Sequence, residues 1–188
     1  MTHAVRIPPL APDQMSADEL DKIGPWKDLV FSQVLMRHPK MYDVFLPYLK
    51  SVVADTILPQ RDRQIVCMYM LQLADDTYEK THHVEISYKV GLGNDEVAQI
   101  LAGGGDLLDD WDHTVIEGIE ELYRDQKVSD ATWARLSERY SQEQLMEFVF
   151  LNGCYHTMAM LTKSFGMQLE EDLTSFNKNR DYTEEPVA

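Results

Sequence analysis

The chain has 188 residues, 44% of them hydrophobic and 26% charged, with a formal net charge of -15. That length suits one domain with a real core, and so acidic a chain repels phosphate backbones, which argues against nucleic-acid binding. No run approaches the roughly 20 apolar residues that span a bilayer, and the first 30 residues lack an apolar core behind basic residues, so the expectation is a cytoplasmic protein with no membrane span and no secretory signal.

Residues 1–14 read as an extended arm, because Pro8, Pro9 and Pro12 oppose a helix there; Ile7 and Leu10 can pack on the body or on a neighbouring subunit. Ser16 and Glu19 form a capping box for a short helix to about Ile23, which Gly24-Pro25 stops. Trp26 to Met36 carries Trp26, Leu29, Val30 and Val34 at helical period, and Pro39 breaks it. Met41 to Ala54 resumes the pattern, with Pro47 predicting a kink or two short helices. Pro59 suits the first turn of the next helix, to about Leu73, whose middle, Ile65 to Leu71, is apolar all round as in a central buried helix.

Asp75-Asp76-Thr77 breaks and caps the chain, and a helix follows from about Thr77 to Val90. Gly91-Leu92-Gly93 ends it, Asn94 caps a short helix through Ala102, and Gly103-Gly104-Gly105 reads as a flexible connection. Helical spacing returns from Trp111, a short helix starts at Ser129, and Ser141 with Gln144 caps a long apolar helix to about Phe165, stopped by Gly166. Residues 177–188 read as a flexible polar tail.

No stretch alternates over strand length, so the fold class is all-α, a single domain over residues 1–188. A weak repeat aligns Gln64 to Met68 with Gln144 to Phe148, and Asp75-Asp76-Thr77 with Tyr155-His156-Thr157. It suggests two pseudo-repeated halves, of which only the first keeps site chemistry; two capped buried helices alike by chance give the same pattern.

At 100° per residue, Asp76, Glu79, His83, Ile86 and Val90 share one side of a helix, with Thr81, Val84 and Tyr88 opposite. Apolar groups on both sides predict a helix covered twice, with Glu79 and His83 near the interior. A buried carboxylate beside an imidazole raises its pKa and holds its tautomer, as a proton-transferring pair requires; an ordinary Glu–His helix pair has the same spacing. Glu79-Lys80-Thr81-His82 matches a Glu-x-x-His di-iron unit but lacks the second copy that such sites need. A single metal on Glu79, His83 and His156, with His82 beside them, is a further alternative; the expectation is no metal and no cofactor. Arg37-His38, Arg61 and Arg63 can bind a substrate carboxylate or solvate helix ends. Cys67 and Cys154 sit in apolar runs and read as small buried thiols.

Across residues 26 to 170 the chain resembles the carboxymuconolactone decarboxylase-like family, which includes alkylhydroperoxidase D. The marks are Arg37-His38-Pro39, then Leu58-Pro59-Gln60-Arg61-Asp62-Arg63-Gln64, Tyr78-Glu79 with His83, Gly91-Leu92-Gly93 and Glu96. The resemblance implies a helical alkylhydroperoxidase D-like domain and a homo-oligomer, a trimer or hexamer, with sites near subunit contacts. The Cys-x-x-Cys of the peroxidase branch is replaced by Asp76 and Glu79, and its relay glutamate by Gln64, while the relay histidine is kept as His83. No disulfide cycle can run on Asp76 and Glu79, so the resemblance points to a non-redox, decarboxylase-like branch.

The implied reaction is cofactor-free breakdown of a carboxylated lactone or related aromatic-derived acid, or isomerisation or hydration of one. The catalytic set is His83, Glu79 and Asp76, with His83 as an imidazolium protonating carbon and Glu79 orienting it. Arg63, Gln64, Tyr78, His82 and His156 form the expected substrate-binding set, with Arg63 on a carboxylate. A non-catalytic helical oligomer is the competing reading.

Overall fold

The structure, a computed structural model, describes residues 4–170. They form nine α-helices: α1 Ala17–Ile23, α2 Val30–Leu35, α3 Pro39–Val53, α4 Gln60–Leu73, α5 Tyr78–Lys89, α6 Asn94–Ala102, α7 Asp110–Asp125, α8 Asp130–Leu136 and α9 Gln142–Phe165. Short 3-10 turns cover Pro12–Gln14 and Gly24–Trp26. The fold is all-α, with no strand among the described residues. None of these helices is long and apolar enough to cross a membrane.

α4 is the axis. Every residue from Asp62 to Leu71 is buried, and α5, α6, α7 and α9 pack around it, with α3 laid on α9 and α8 on α7. The all-round apolar run predicted this, because a helix wrapped by neighbours has no face to give to water. Its first turn is fixed by charge. Arg61 grips both oxygens of Asp112 at 3.0 and 2.8 Å and reaches Glu96 at 2.9 Å, which ties α4 to α7 and α6. Next to it, Asp62 Oδ2 accepts hydrogen bonds from the Trp111 indole at 2.9 Å and the Tyr140 hydroxyl at 2.6 Å. Arg61 is therefore a structural tie, not a substrate ligand.

Several boundaries differ from expectation. Trp26 lies in a 3-10 turn, and the helix after it starts only at Val30. Pro39 opens α3 rather than breaking a helix, since an N1 proline lacks only an amide that no turn would use, and α3 continues through Pro47. Gly93, not Asn94, is the N-cap of α6, where the Glu96 carboxylate accepts the Gly93 amide. The glycine connection after α6 is held by Gln99, which bonds Asp106 and the Leu107 amide at 2.8 Å each. α5 buries one side fully and the other in part, with Val84 half-buried against the core. Tyr78, Glu79, His82, His83, Ile86 and Ser87 are buried, whereas Tyr88 is exposed. The aligned stretches of the suggested repeat also differ: the first breaks at Asp75, which takes a left-handed turn (φ 52°), while Tyr155-His156-Thr157 lies inside continuous α9.

The arm packs on the body. Ile7 and Leu10 join the core, Arg37 donates to the carbonyls of Pro8 and Pro9 at 3.0 and 3.1 Å, and the Arg6 and Ile7 amides donate to Phe165 O. Arg37 is thus committed to the arm. The polar tail at 177–188 lies outside the described residues.

Gly166 turns the chain where arm and α9 meet. It is left-handed (φ 71°), and a Cβ there would lie 2.2 Å from the Ala4 carbonyl oxygen. Gly166→Ala should lower the unfolding free energy by more than about 1–2 kcal/mol, the left-handed penalty alone, with the backbone clash adding to it. Denaturant titration of the variant checks this; an unchanged midpoint would contradict it.

Candidate active site

Three helices bring one polar group together in the core. α4 supplies Arg63, Gln64 and Cys67 on adjoining turns, α5 supplies His83, and α9 supplies Tyr155. His83 is 5% exposed and both ring nitrogens are used: Nδ1 lies 3.0 Å from Gln64 Oε1 and Nε2 lies 2.7 Å from the Tyr155 hydroxyl. The Tyr155 and His83 rings stand edge to face, 4.8 Å apart at 89°.

An amide oxygen only accepts, so Nδ1 carries the proton and the bare Nε2 accepts from Tyr155 O–H. Burial, the Arg63 charge and then His82 push the His83 pKa down to about 3. The imidazole is neutral at physiological pH. This corrects the expectation of an imidazolium raised and oriented by Glu79, because Gln64 and Tyr155 hold the two nitrogens that a carboxylate partner would need.

Glu79 remains beside the group. It is 7% exposed, and its charge raises the pKa values of Tyr155, Cys67 and Cys154 after the larger effect of burial. Cys67 shares a hydrogen bond with Tyr155. Both thiols are free and buried, and burial pushes each up to about 12, as the reading of inert core cysteines expects.

Arg63 is the unsatisfied member. Its Nη1 donates to Val53 O at 2.9 Å, while its buried Nε has no hydrogen-bond partner among the described residues. An orphaned donor on a buried cation is costly and is a natural contact for an anion.

The other expected residues lie elsewhere. Asp76 is occupied structurally: Oδ1 accepts the Glu79 amide at 2.7 Å, capping α5, and Oδ2 accepts the Thr162 hydroxyl of α9. Burial raises its pKa against those hydrogen bonds. Capping was legible in the sequence, and it takes the oxygens that catalysis would need. Tyr78 and His82 face a second cluster, where they hold the Glu170 carboxylate at 2.6 and 2.9 Å.

His156 packs against the Tyr123 ring of α7 at 5.4 Å, a direction set by its position about 100° round α9 from Tyr155. Glu79, His82, His83 and His156 therefore do not converge, and no group of three or more metal-ligating side chains is assembled among the described residues. Sequence reasoning missed Tyr155, which stood next to His156 in the repeat, and Glu170, which carries no local signal.

The buried neutral histidine gives a pH signature. Between its ordinary pKa of 6.5 and about 3, the unfolded chain binds a proton at His83 that the folded chain does not. Its contribution to stability is full above pH 6.5 and is lost as pH falls toward 3, by up to about 1.4 kcal/mol per pH unit. Urea unfolding across that window should show an acid limb shallower by about one proton in His83→Gln than in wild type; parallel limbs would contradict a buried neutral imidazole.

No family model matches this sequence, and no curated protein does. Solved structures do resemble it. An uncharacterized peroxidase-related protein from Ralstonia eutropha, described as an alkylhydroperoxidase AhpD core, aligns over 95% of this chain and 100% of its own with 14% identity and a TM-score of 0.74. A protein of unknown function from Agrobacterium tumefaciens, named for the antioxidant defence protein AhpD, aligns over 72% of this chain and 94% of its own with 12% identity and a TM-score of 0.67. At such identities the likeness establishes architecture alone: this chain has the helical fold of AhpD-like proteins.

Proposed function

We propose that the chain is a cofactor-free, cytoplasmic proton-transfer enzyme acting on a small carboxylated ring or diene acid, as an isomerase in the first reading and a decarboxylase-like lyase in the second. One observation carries this reading: a fully buried neutral imidazole whose Nε2 accepts a buried phenol, beside a guanidinium with a free donor. Arg63 Nε is positioned to take a substrate carboxylate, which would orient the carbon skeleton. A carbon-bound proton can pass to the Tyr155 oxygen as the phenol's own proton passes to His83 Nε2. Gln64 cannot take the proton further, so the relay ends at the imidazole.

The same geometry favours isomerisation over decarboxylation. After loss of carbon dioxide the remaining carbanion consumes a proton, which would have to come from the Tyr155 hydroxyl and leave a buried phenolate. Moving a double bond takes a proton and returns it, with no net demand. Disulfide-cycling peroxidase chemistry is not supported at the head of α5, where Asp76 and Glu79 offer no sulfur.

We further propose that the chain self-associates through α9. Met146, Val149, Phe150 and Met160 are 56%, 40%, 54% and 53% exposed along it, and a Cβ placed on Gly153 would meet only Tyr48 OH, at 3.9 Å. Met146 and Met160 lie seven residues before and after Gly153. In an antiparallel pair crossing at Gly153, Met146 of one copy therefore faces Met160 of the other. The adjoining groove of about 340 Å³, lined by Tyr48, Met146 and Phe150 among others, can receive that methionine. Such a two-fold contact suits a dimer or a hexamer.

Tyr155→Phe and His83→Gln should each lower turnover of a carboxylated lactone or unsaturated acid by about 10²–10⁴-fold, with solvent-deuterium incorporation lost in parallel, whereas Arg63→Gln should chiefly raise KM. Full turnover in His83→Gln would refute the relay. For the interface, Phe150→Asp should halve the mass measured by light scattering, to a single chain from a dimer or to a trimer from a hexamer; an unchanged mass would place the contact elsewhere.

A further inference from the structure

Glu170 lies past the end of α9, yet its side chain is only 9% exposed. Its carboxylate is held by three donors from two other elements. Oε1 accepts the Tyr78 hydroxyl at 2.6 Å and the Val30 amide at 2.9 Å, and Oε2 accepts His82 Nε2 at 2.9 Å. Burial alone would raise its pKa, but the bonds from His82, Tyr78 and Val30 outweigh that and hold it below the ordinary carboxylate range.

The donors are fixed independently of Glu170. Tyr78 and His82 sit one turn apart on the buried side of α5, 4% and 5% exposed, with rings 5.0 Å apart. The Tyr78 hydroxyl is also anchored by the Phe31 amide at 3.1 Å. The acceptor comes instead from a short segment without regular structure, Met167 to Glu170, which follows the Gly166 turn. A rigid set of converging donors is thus filled by a carboxylate on a strap.

We propose that Tyr78, His82 and the Val30 amide form a binding site for a small organic carboxylate, and that Glu170 is its built-in competitor. The site adjoins the proton relay through the neighbouring residues His82 and His83, the first of which lowers the pKa of the second. An intramolecular occupant lowers apparent ligand affinity by the fraction of molecules in which the strap is released. The site would therefore accept an external carboxylate only when the strap lifts. The proposed substrate class bears on this only for the identity of the natural ligand; the test reads binding without turnover, so either reading can fail alone.

The test uses the full chain as wild type, Glu170→Ala and Glu170→Gln, titrated with sodium benzoate, sodium propionate and sodium chloride while the thermal midpoint is followed. Propionate matches the hole left by a glutamate side chain, whereas benzoate exceeds it and needs the strap displaced. The expected result is benzoate binding to Glu170→Ala at least tenfold tighter than to wild type, with no response to chloride. Glu170→Gln, which keeps the plug in volume, should bind like wild type, and adding His82→Ala to Glu170→Ala should abolish the gain.

Rescue by propionate alone would overturn the proposal and leave Glu170 as a structural tie, as would equal benzoate affinity in all three proteins. If Glu170→Ala does not fold in chloride, folding restored by benzoate supports the site, and failure in every salt overturns it.

Discussion

The structure turns on one imidazole. His83 sits where α4, α5 and α9 meet, with Gln64 on one nitrogen and Tyr155 on the other. A polar ring can be buried there only because both of its hydrogen-bonding positions are filled, since an unmade bond in that interior would cost about 1–3 kcal/mol. The two partners come from different helices, so the ring also fixes how α5 and α9 are placed around α4. Its neutrality follows from the same fact: an amide and a phenol satisfy an uncharged imidazole, and burial penalises the charged form.

That constraint decides which chemistry the surroundings can support. A carboxylate at the Gln64 position would stabilise an imidazolium; the amide leaves the ring neutral. Around it the fold spends most of its buried polar groups on architecture. Asp62 anchors Trp111 and Tyr140, Asp112 anchors Arg61, and Asp76 caps α5 while pinning α9. Among the described residues Tyr42 Oη, Asn152 Oδ1 and Arg63 Nε are left without a partner, and of these Arg63 is the charged group.

The sequence made the scaffold legible where local physics decides it. The all-round apolar run Ile65 to Leu71 announced the central helix, and Ser16/Glu19 and Ser141/Gln144 announced helix starts that the structure has. It was less readable along α5, whose buried stripe is Tyr78, Glu79, His82, His83 and Ser87 with only Ile86 apolar. Val84 and Tyr88 stand on the opposite side, so the helix seemed covered on two sides. Gln64 and His83 were found as residues but not as partners, because a contact 19 positions apart depends on how two helices pack. Tyr155 was hidden by the more reactive-looking His156 beside it, though one step along a helix turns a side chain by about 100°. Nothing local to Glu170 could show that the chain doubles back after Gly166.

The protonation state of His83 tests the account most directly, through nitrogen-resolved NMR of its imidazole in labelled protein. A neutral ring protonated at Nδ1 with a bare Nε2, unchanged from neutral pH down to about pH 4, is the predicted result. A ring protonated on both nitrogens at neutral pH, or carrying its proton on Nε2, would contradict it and return the site to an acid-first mechanism.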